Sequence, residues 1–399
     1  MNSEHSTSIP RRKFIGAAAK SAAGIGVFSI MKPEQAFSSA ANSKVQLGII
    51  GTGGRGTFDG RNLFKTGKVE IYALADYFDF QMKEPAHLFE VDAKRCFDGI
   101  DGYKEVLALD EIDAVLLTTA PYFRPIQFKA AVEANKHVFA EKPIAVDPWG
   151  CHTFLAAGEK AKRKKLTVGV GLQTRDQPYY QKLADAIQNG AIGRPLVGHS
   201  TRISDDLWRR ERPAHFSELD HQIRHWLYYL WASGDFINEM HIHNIDVFNW
   251  FTNMLPVSAY GRGGRDVRLD VGDIYDNIEV LYEYPNGFNL THTGTQISNG
   301  LYNSVKHIIG TDGYFDLSKG LVSKKAKVTK EDGAITEATV IEMENFVASV
   351  LGERPTINNS GYVTSSTFTC ILGRTAAYEK RKVTWKELWD SKQKIEMPV

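Results

Sequence analysis

The sequence predicts an α/β fold: a doubly wound parallel sheet followed by a second, α+β domain. Three observations support this prediction. Short apolar runs alternate with helical stretches from about residue 44 to residue 171, as in a parallel sheet with crossover helices. From residue 172 onward, longer strands alternate apolar and polar residues and are joined by hairpin turns. A chain of 399 residues can hold two domains, each with its own core.

The composition argues against several classes of partner. The formal charge is +1, with basic and acidic residues interspersed, so nothing points to nucleic acid or to an acidic partner. Three widely spaced cysteines, Cys96, Cys151 and Cys370, form neither a disulfide framework nor a metal-binding pattern. We therefore expect a small-molecule ligand.

Residues 1–41 are predicted to be an export signal. Arg11-Arg12-Lys13-Phe14 precedes an apolar run rich in alanine and glycine, and small residues gather at Ser38-Ser39-Ala40-Ala41. This pattern resembles a twin-arginine signal, which exports folded proteins to the periplasm. Lys20 interrupts the run and argues against a membrane span. The alternative is an incidental pair of arginines before a helix.

The first strand, predicted at residues 45–50, leads directly into Gly51-Thr52-Gly53-Gly54-Arg55-Gly56. In this G-x-G-x-x-G spacing, Gly51 allows a tight turn and Gly53 lets the backbone approach a diphosphate. Gly56 lets the following helix pack closely on the sheet. The N-terminus of that helix favours phosphate. We therefore predict a Rossmann dinucleotide site in which Gly51, Gly53, Gly54, Arg55 and Gly56 contact the cofactor.

Asp76 ends the next apolar run, twenty residues after Gly56. A carboxylate at this position can accept hydrogen bonds from the adenosine ribose of NAD, and it would repel the 2′-phosphate of NADP. The sequence therefore favours NAD over NADP.

The remaining elements of the first domain continue the alternation. A helix is predicted around Met82 to Cys96, and buried strands at residues 114–119 and 136–140. A helix at 150–164 and a strand at 166–171 close the domain. Because parallel strands end at one edge of the sheet, the residues after them border the cofactor crevice. The predicted cofactor contacts at these strand ends are Thr119, Pro121, Glu141 and Lys142.

Three motifs together resemble the Gfo/Idh/MocA oxidoreductases, a family named for glucose–fructose oxidoreductase and inositol dehydrogenase. They are the glycine motif, Thr118-Thr119-Ala120-Pro121, and Lys136-His137-Val138-Phe139-Ala140-Glu141-Lys142-Pro143. The resemblance implies an NAD(P)-binding domain at 44–171. It also implies a second domain at 172–399 with a large mixed sheet, which binds substrate and forms a homo-oligomer. It places Lys142 beside the nicotinamide, where an ammonium can stabilise a developing alkoxide.

A second group of chemically active side chains lies between Ser233 and Trp250, where the apolar spacing predicts a helix. Four-residue spacing puts Glu239 and His243 on one face, with Asp246 three residues further on. The family's usual pattern is Asp-x-Gly-x-His-x-x-Asp, and this chain departs from it at Glu239 and at His241. The resemblance implies that neutral His243 accepts the hydroxyl proton and that Glu239 orients or assists it.

Arg175, Trp208 and His241 are predicted to bind substrate together with Lys142 and His243. Arg175 matches a cleft-lining position of the family, although a structural ion pair is an alternative. Trp208 belongs to an aromatic and arginine-rich insertion, residues 204–231, which could stack on a sugar or simply pack the domain. His241 could complete a metal site, but on a regular helix it points away from the other two side chains. We therefore predict no metal.

The function predicted from the sequence is an exported NAD-dependent oxidoreductase that transfers hydride between nicotinamide and a sugar or polyol hydroxyl. Free NAD is not dependably supplied outside the cytoplasmic membrane. A redox-neutral, NAD-assisted glycosidase or epimerase with a tightly bound cofactor is therefore the alternative. A binding protein without catalysis is a third hypothesis, against which the presence of both Lys142 and His243 argues.

Overall fold

Six short strands near the start of the described chain form a parallel sheet, as the sequence predicts. The computed structural model describes residues 44–298, 300–329 and 335–398, so the predicted export signal lies outside the described residues. The strand order β3-β2-β1-β4-β5-β6 is that of a doubly wound fold. The strands are β1 (Val45–Ile50), β2 (Val69–Asp76), β3 (Cys96–Asp98), β4 (Ala114–Leu117), β5 (His137–Ala140) and β6 (Val168–Val170).

Helices cover both faces of this sheet. On one face, Leu47 and Ile49 of β1 pack in a cluster with Leu63. On the other, Ile50 belongs to a cluster with Phe128 and Phe154. Because the six strands are parallel, they all end at one edge of the sheet, where the cofactor crevice is expected. The helices of this half are α1 (Gly54–Lys65), α2 (Lys83–Phe89), α3 (Gly102–Ala108), α4 (Arg124–Glu133) and α5 (Pro148–Arg163).

The helix predicted from Met82 to Cys96 is wrong in its second half. Helix α2 ends at Phe89, and the φ of 57° at the following Glu90 lies in the left-handed region. A single 3-10 turn at Ala93–Arg95 then leads into the edge strand β3. A strand of three residues is too short to give a periodic signal in the sequence.

The second half of the chain builds a mixed sheet of nine strands, which confirms the predicted α+β architecture. The strand order is β14-β13-β12-β11-β7-β10-β9-β8-β15, and β7 pairs with β10 in parallel. The other neighbouring pairs are antiparallel. The strands are β7 (Pro195–Ser204), β8 (Ser258–Gly264), β9 (Asn277–Glu283), β10 (Asn289–Gln296), β11 (Asn303–Gly310), β12 (Gly313–Asp316), β13 (Gly320–Ser323), β14 (Lys327–Val328) and β15 (Val383–Thr384).

Late helices tie the two sheets into one compact unit that starts at Lys44. Helix α12 lies so close to α5 that a Cβ on Gly158 would come within 2.1 Å of Ser360 Oγ. Phe346 of α11 packs edge-on against Phe139 of β5. No helix in the described ranges is long and apolar enough to cross a membrane. The helices of this half are α6 (Pro178–Gln188), α7 (Glu218–Arg224), α8 (Leu230–Ser233), α9 (Phe236–Glu239), α10 (Ile242–Thr252), α11 (Ile335–Val350), α12 (Ser360–Glu379) and α13 (Trp385–Ser391).

The single helix predicted between Ser233 and Trp250 is also wrong. Helix α9 ends at Glu239 and α10 begins at Ile242. The N–H of His241 reaches back to Phe236 O, at 3.3 Å, instead of continuing a regular helix. The His241 ring is held against the second sheet, where its Nδ1 lies 2.9 Å from Nε2 of His292. Glu239 therefore does not share a helix face with the residues of α10.

Candidate active site

The glycine motif forms the predicted turn between β1 and α1. Gly51 has a φ of +96°, and a Cβ on Gly56 would lie 1.9 Å from Gly51 O, so both positions require glycine. The space beside Gly54 is open, with nothing within 4 Å of an added Cβ. The only group that a Cβ on Gly53 would meet is the Gln81 side chain, at 3.5 Å. The backbone is therefore free for the close approach that a diphosphate needs.

Asp76 stands at the carboxyl end of β2, next to this turn. Its Oδ2 accepts hydrogen bonds from the N–H and hydroxyl of Thr52, at 2.7 and 3.2 Å, and its Oδ1 accepts one from the Phe78 N–H. Burial raises the pKa of Asp76, and these hydrogen bonds oppose the rise. A carboxylate has about four acceptor sites, so capacity remains for a ribose hydroxyl.

A cavity of about 280 Å³ runs along the turn. Seven of the predicted cofactor contacts line it, namely Gly51, Gly53, Gly54, Arg55, Gly56, Asp76 and Thr119. The other three, Pro121, Glu141 and Lys142, are not among its lining residues. The glycine turn and the ends of β2 and β4 thus line one cavity beside the predicted diphosphate position, while the residues after β5 are not part of its lining.

Glu141 holds Arg55 in position beneath the turn. Its Oε1 accepts hydrogen bonds from Nη2 and Nε of Arg55, at 2.6 and 3.1 Å. Asp59 accepts a further hydrogen bond from Arg55 Nε, at 2.9 Å. Glu141 is almost fully buried, with 2% of its surface exposed. Its visible role is to fasten the end of β5 to α1.

Lys142 and Glu239 join the two halves of the molecule. The Lys142 ammonium donates to Glu239 Oε1 at 2.9 Å and to the Glu239 backbone carbonyl at 2.7 Å. An ammonium has three N–H donors, so one donor remains for another ligand. The expected pairing of Glu239 with His243 is therefore replaced, because Glu239 directs its carboxylate to Lys142.

His243 lies in the first turn of α10, near Lys142. Burial and the positive charge of Lys142 lower the pKa of His243 well below its ordinary value. Arg202, Arg55 and Lys306 lower it further. The imidazole is therefore neutral at physiological pH and can accept a proton.

Asp246 and Arg175 form a closed ion pair. Arg175 donates to the Asp246 carboxylate through Nε and Nη2, at 2.9 and 2.8 Å. Ser366 adds a hydrogen bond to the same carboxylate. The guanidinium also lies 4.0 Å from the centre of the Tyr362 ring. This geometry favours the structural alternative for Arg175, because Nε and Nη2 are directed to Asp246, and its contact with substrate stays a prediction.

His241 is fully buried and faces the second sheet. A Cβ on Gly294 of β10 would come within 2.2 Å of the His241 ring. The prediction that His241 contacts substrate is corrected, because its ring is held between Phe236 and His292. Among the described residues, no group of three or more His, Cys, Asp or Glu side chains could hold a metal ion.

The predicted role of Trp208 in sugar binding stays a prediction, and the structure shows only which cavity Trp208 lines. Trp208 lines the dinucleotide cavity together with Arg210, Arg224 and Trp226. We call residues 205–229 the covering segment, because this part of the second half forms the outer wall of the cavity. Arg210 lies 4.8 Å from the Trp208 ring centre, and Arg224 lies 5.0 Å from that of Phe80. Neither arginine has an ion pair among the described residues.

Arg202 and Lys306 were missed by the sequence reasoning, although a signal existed for Lys306. In the alternation of β11, Lys306 shares a sheet face with Ile308, which is fully buried. A lysine at a core position of a strand is unusual and indicates a special environment. The arginines of the covering segment gave no such signal, because loops carry arginine routinely.

Family models match both halves of the chain. A model of the oxidoreductase family with the NAD-binding Rossmann fold, Gfo/Idh/MocA, matches residues 45–171, and the family's C-terminal domain model matches residues 180–316. The chain belongs to the Gfo/Idh/MocA oxidoreductase family. It is therefore an oxidoreductase with an NAD-binding Rossmann domain.

Individual relatives agree with the family assignment. An inositol 2-dehydrogenase from Acidothermus cellulolyticus is 32% identical over 245 residues, which span 61% of this chain and 63% of that protein, just under two thirds of its length. An uncharacterized oxidoreductase from Bacillus subtilis is 24% identical over 273 residues, which span 68% of this chain and 72% of that protein.

The fold is shared with solved structures. The scyllo-inositol dehydrogenase from Lactobacillus casei with bound NAD(H) and scyllo-inositol has a TM-score of 0.68 to this chain at 18% identity. The alignment covers 86% of this chain and all of that one. At this identity the likeness concerns the fold alone.

Proposed function

We propose that the protein oxidises a hydroxyl of a sugar or polyol with NAD. The observation that carries this proposal is the meeting of Lys142, from the end of β5, with Glu239 and the neutral His243 beside the dinucleotide domain. The relative named as an inositol 2-dehydrogenase supports a polyol-like substrate. It does not favour the redox-neutral glycosidase or epimerase.

Two side chains supply the acid–base and electrostatic chemistry. The neutral imidazole of His243 takes the proton from the substrate hydroxyl. The free N–H of Lys142 donates to the same oxygen and stabilises the negative charge that develops there. Glu239 fixes the direction of the ammonium by accepting its other two hydrogen bonds, through carboxylate and backbone oxygens. NAD, when bound, supplies the acceptor for the hydride.

NAD rather than NADP is the proposed coenzyme. The carboxylate of Asp76 has acceptor capacity left for ribose hydroxyls, and a 2′-phosphate would add negative charge beside it. Arg224 acts in the opposite direction, since its positive charge lowers the pKa of Asp76 and would attract a phosphate. Titration of the purified protein with each coenzyme tests the preference, and tighter binding of NADP would contradict it.

Export of the folded protein by the twin-arginine route is a further part of the proposal. It is supported by Arg11-Arg12 and the apolar run in the sequence, together with a cavity whose outer wall comes from the covering segment. We propose that this wall slows the loss of a bound cofactor outside the cytoplasm. Fusion of residues 1–42 to a reporter tests the route, and export that survives Arg11-Arg12→Lys-Lys would exclude it.

A homo-oligomer is proposed from the family resemblance, and sedimentation of the purified protein tests it.

The function itself is tested by screening neutral and acidic sugars and polyols for NADH formation. Lys142→Met is expected to lower kcat by roughly 10²–10³-fold, since it removes a donor to the developing alkoxide. Substitution of Lys129, an exposed lysine of α4, by Met is the matched control. Equal turnover by Lys142→Met and wild type would contradict the mechanism.

A further inference from the structure

Two cations near His243 have no carboxylate partner among the described residues. They are Arg202 on β7 and Lys306 on β11. In the antiparallel ladder, Arg202 lies opposite Ser304 and Lys306 lies opposite Ser200. Residues directly opposite each other share a sheet face, so both cations lie on one face as diagonal neighbours. Their spacing allows both side chains to reach one small ligand.

The same face supports the start of helix α10. Gly294 of β10 lies opposite Arg202, and a Cβ there would collide with the His241 ring. Asn244 donates to a backbone carbonyl of β7 at 3.0 Å. His243 stands between these two anchoring residues in the chain. The contacts therefore place the proposed proton acceptor beside the two cations.

Burial makes these charges costly. Lys306 is only 8% exposed, and Nε of Arg202 is buried without a hydrogen-bond partner. Burial and the neighbouring Arg202 lower the pKa of Lys306 to about 8, and no carboxylate opposes this shift. A buried charge without a counter-charge destabilises the fold. Two such cations next to a catalytic site can bind an anionic group of the ligand.

The carboxylates that could neutralise the pair have other partners. Glu239 is held by Lys142, and Asp246 is held by Arg175. The part of the cleft near His243 therefore carries a surplus of positive charge.

We propose that Arg202 and Lys306 form an anion-binding subsite of the substrate cleft, so that the substrate is a sugar or polyol bearing a carboxylate or phosphate. This inference rests on the proposed function, because it assigns the charge of the substrate in the same cleft. A guanidinium can bind two oxygens of such a group side by side, and the ammonium adds a point charge. The anion then fixes which hydroxyl faces Lys142 and His243.

Matched pairs of compounds test the subsite. The purified full chain, with NAD added, is titrated calorimetrically with D-glucuronate against D-glucose and with myo-inositol phosphate against myo-inositol, and NADH formation is followed in parallel. The acidic member of at least one pair is expected to bind at least about tenfold more tightly than its neutral parent. The two pairs separate a carboxylate from a phosphate as the recognised group.

Four variants test whether the preference for the acidic compound depends on Arg202 and Lys306. Lys306→Met and Arg202→Gln are each expected to reduce the ratio of neutral to acidic Kd by about tenfold, and Lys306→Arg to restore most of it. Lys319→Met removes an exposed lysine after β12 and serves as the control. Thermal melting of every variant shows whether it is folded, and the rescue by Lys306→Arg separates charge from structure.

Each outcome decides the inference. Equal binding of acids and parents, or a preference unchanged in Lys306→Met and Arg202→Gln, overturns it. NADH formation from neutral compounds without an acid preference overturns the subsite while the proposed function stands. Tight acid binding that depends on both residues, but without NADH formation from any compound, supports the subsite and counts against the proposed function.

Discussion

Four cations around the two candidate ligand sites differ in whether they have a carboxylate partner. Around the end of β5 and the start of α1, Arg55 and Lys142 each hold a carboxylate, from Glu141 and Glu239 respectively. On the second sheet and in the covering segment, Lys306 and Arg210 have no such partner among the described residues. The ion-paired cations hold the elements of the cleft together. The cations without a carboxylate partner can bind an anionic ligand, and they lower the stability of the fold when no ligand is bound.

The largest effect on NAD affinity is expected at the glycine turn, where the backbone meets the cofactor. Gly56→Ala would place a Cβ 1.9 Å from Gly51 O, so the turn must move away from the diphosphate position. We expect NAD affinity to fall by roughly 100-fold or more, since the backbone donors lose their alignment. Gly54→Ala, where the added Cβ meets nothing within 4 Å, is the matched comparison for a chain that still folds. Similar NAD affinity in both variants, measured by fluorescence titration, would show that the diphosphate binds away from the glycine turn.

Removal of the unpaired arginines of the covering segment should have the next largest effect on NAD affinity. Arg210→Gln combined with Arg224→Gln is expected to weaken NAD binding by about 10- to 100-fold, since two charged groups facing the cavity are lost. Arg209 is the control, because it pairs with Asp206 and Asp270 and does not line the cavity. If Arg209→Gln weakens NAD as much as the double variant, the covering segment has no specific role.

The pH profile distinguishes a catalytic histidine of this environment from an ordinary one. Burial and Lys142 lower the pKa of His243, so its imidazole stays in the proton-accepting form as the pH falls below the usual histidine value. We expect kcat/KM for oxidation to remain level from about pH 7 to about pH 6. A loss of activity centred near the ordinary histidine pKa would contradict a buried, neutral His243.

The smallest expected effect is a gain in stability. Lys306 has a pKa of about 8 in the fold, below the usual lysine value, so its charge costs stability below pH 8 and less as the pH rises. The groups that interact electrostatically with it are the cation Arg202 and the neutral imidazole of His243. Lys306→Met should therefore raise Tm by roughly 2–4 °C at neutral pH, and by less above pH 8. A lower Tm at neutral pH would mean that Lys306 has a structural partner.

The contrast between regions also explains what the sequence could predict. The cavity-lining residues of the glycine turn and Asp76 follow from local chain geometry, because a strand, a tight turn and a helix lie in sequence order. Lys142 and His243 were located through family motifs, and the structure brings them near each other.

Long-range packing decided the features that the sequence could not determine. Arg175 is bound by Asp246, which lies 71 residues away, and nothing local reveals that pair. Trp208 belongs to an insertion whose composition is visible in the sequence, but only the fold shows that it covers the dinucleotide cavity. The break between α9 and α10 depends on the contact of His241 with β10, which no helical periodicity encodes.

The most direct test of the central claim is NADH formation by His243→Asn compared with wild type, on a substrate found in the screen. Asparagine keeps a polar side chain but cannot accept the hydroxyl proton, so kcat should fall by roughly 10²–10⁴-fold while NAD binding persists. His87→Asn on the exposed side of α2 is the control for a changed histidine. Oxidation by His243→Asn at the wild-type rate, with NAD bound equally well, would show that proton transfer occurs elsewhere.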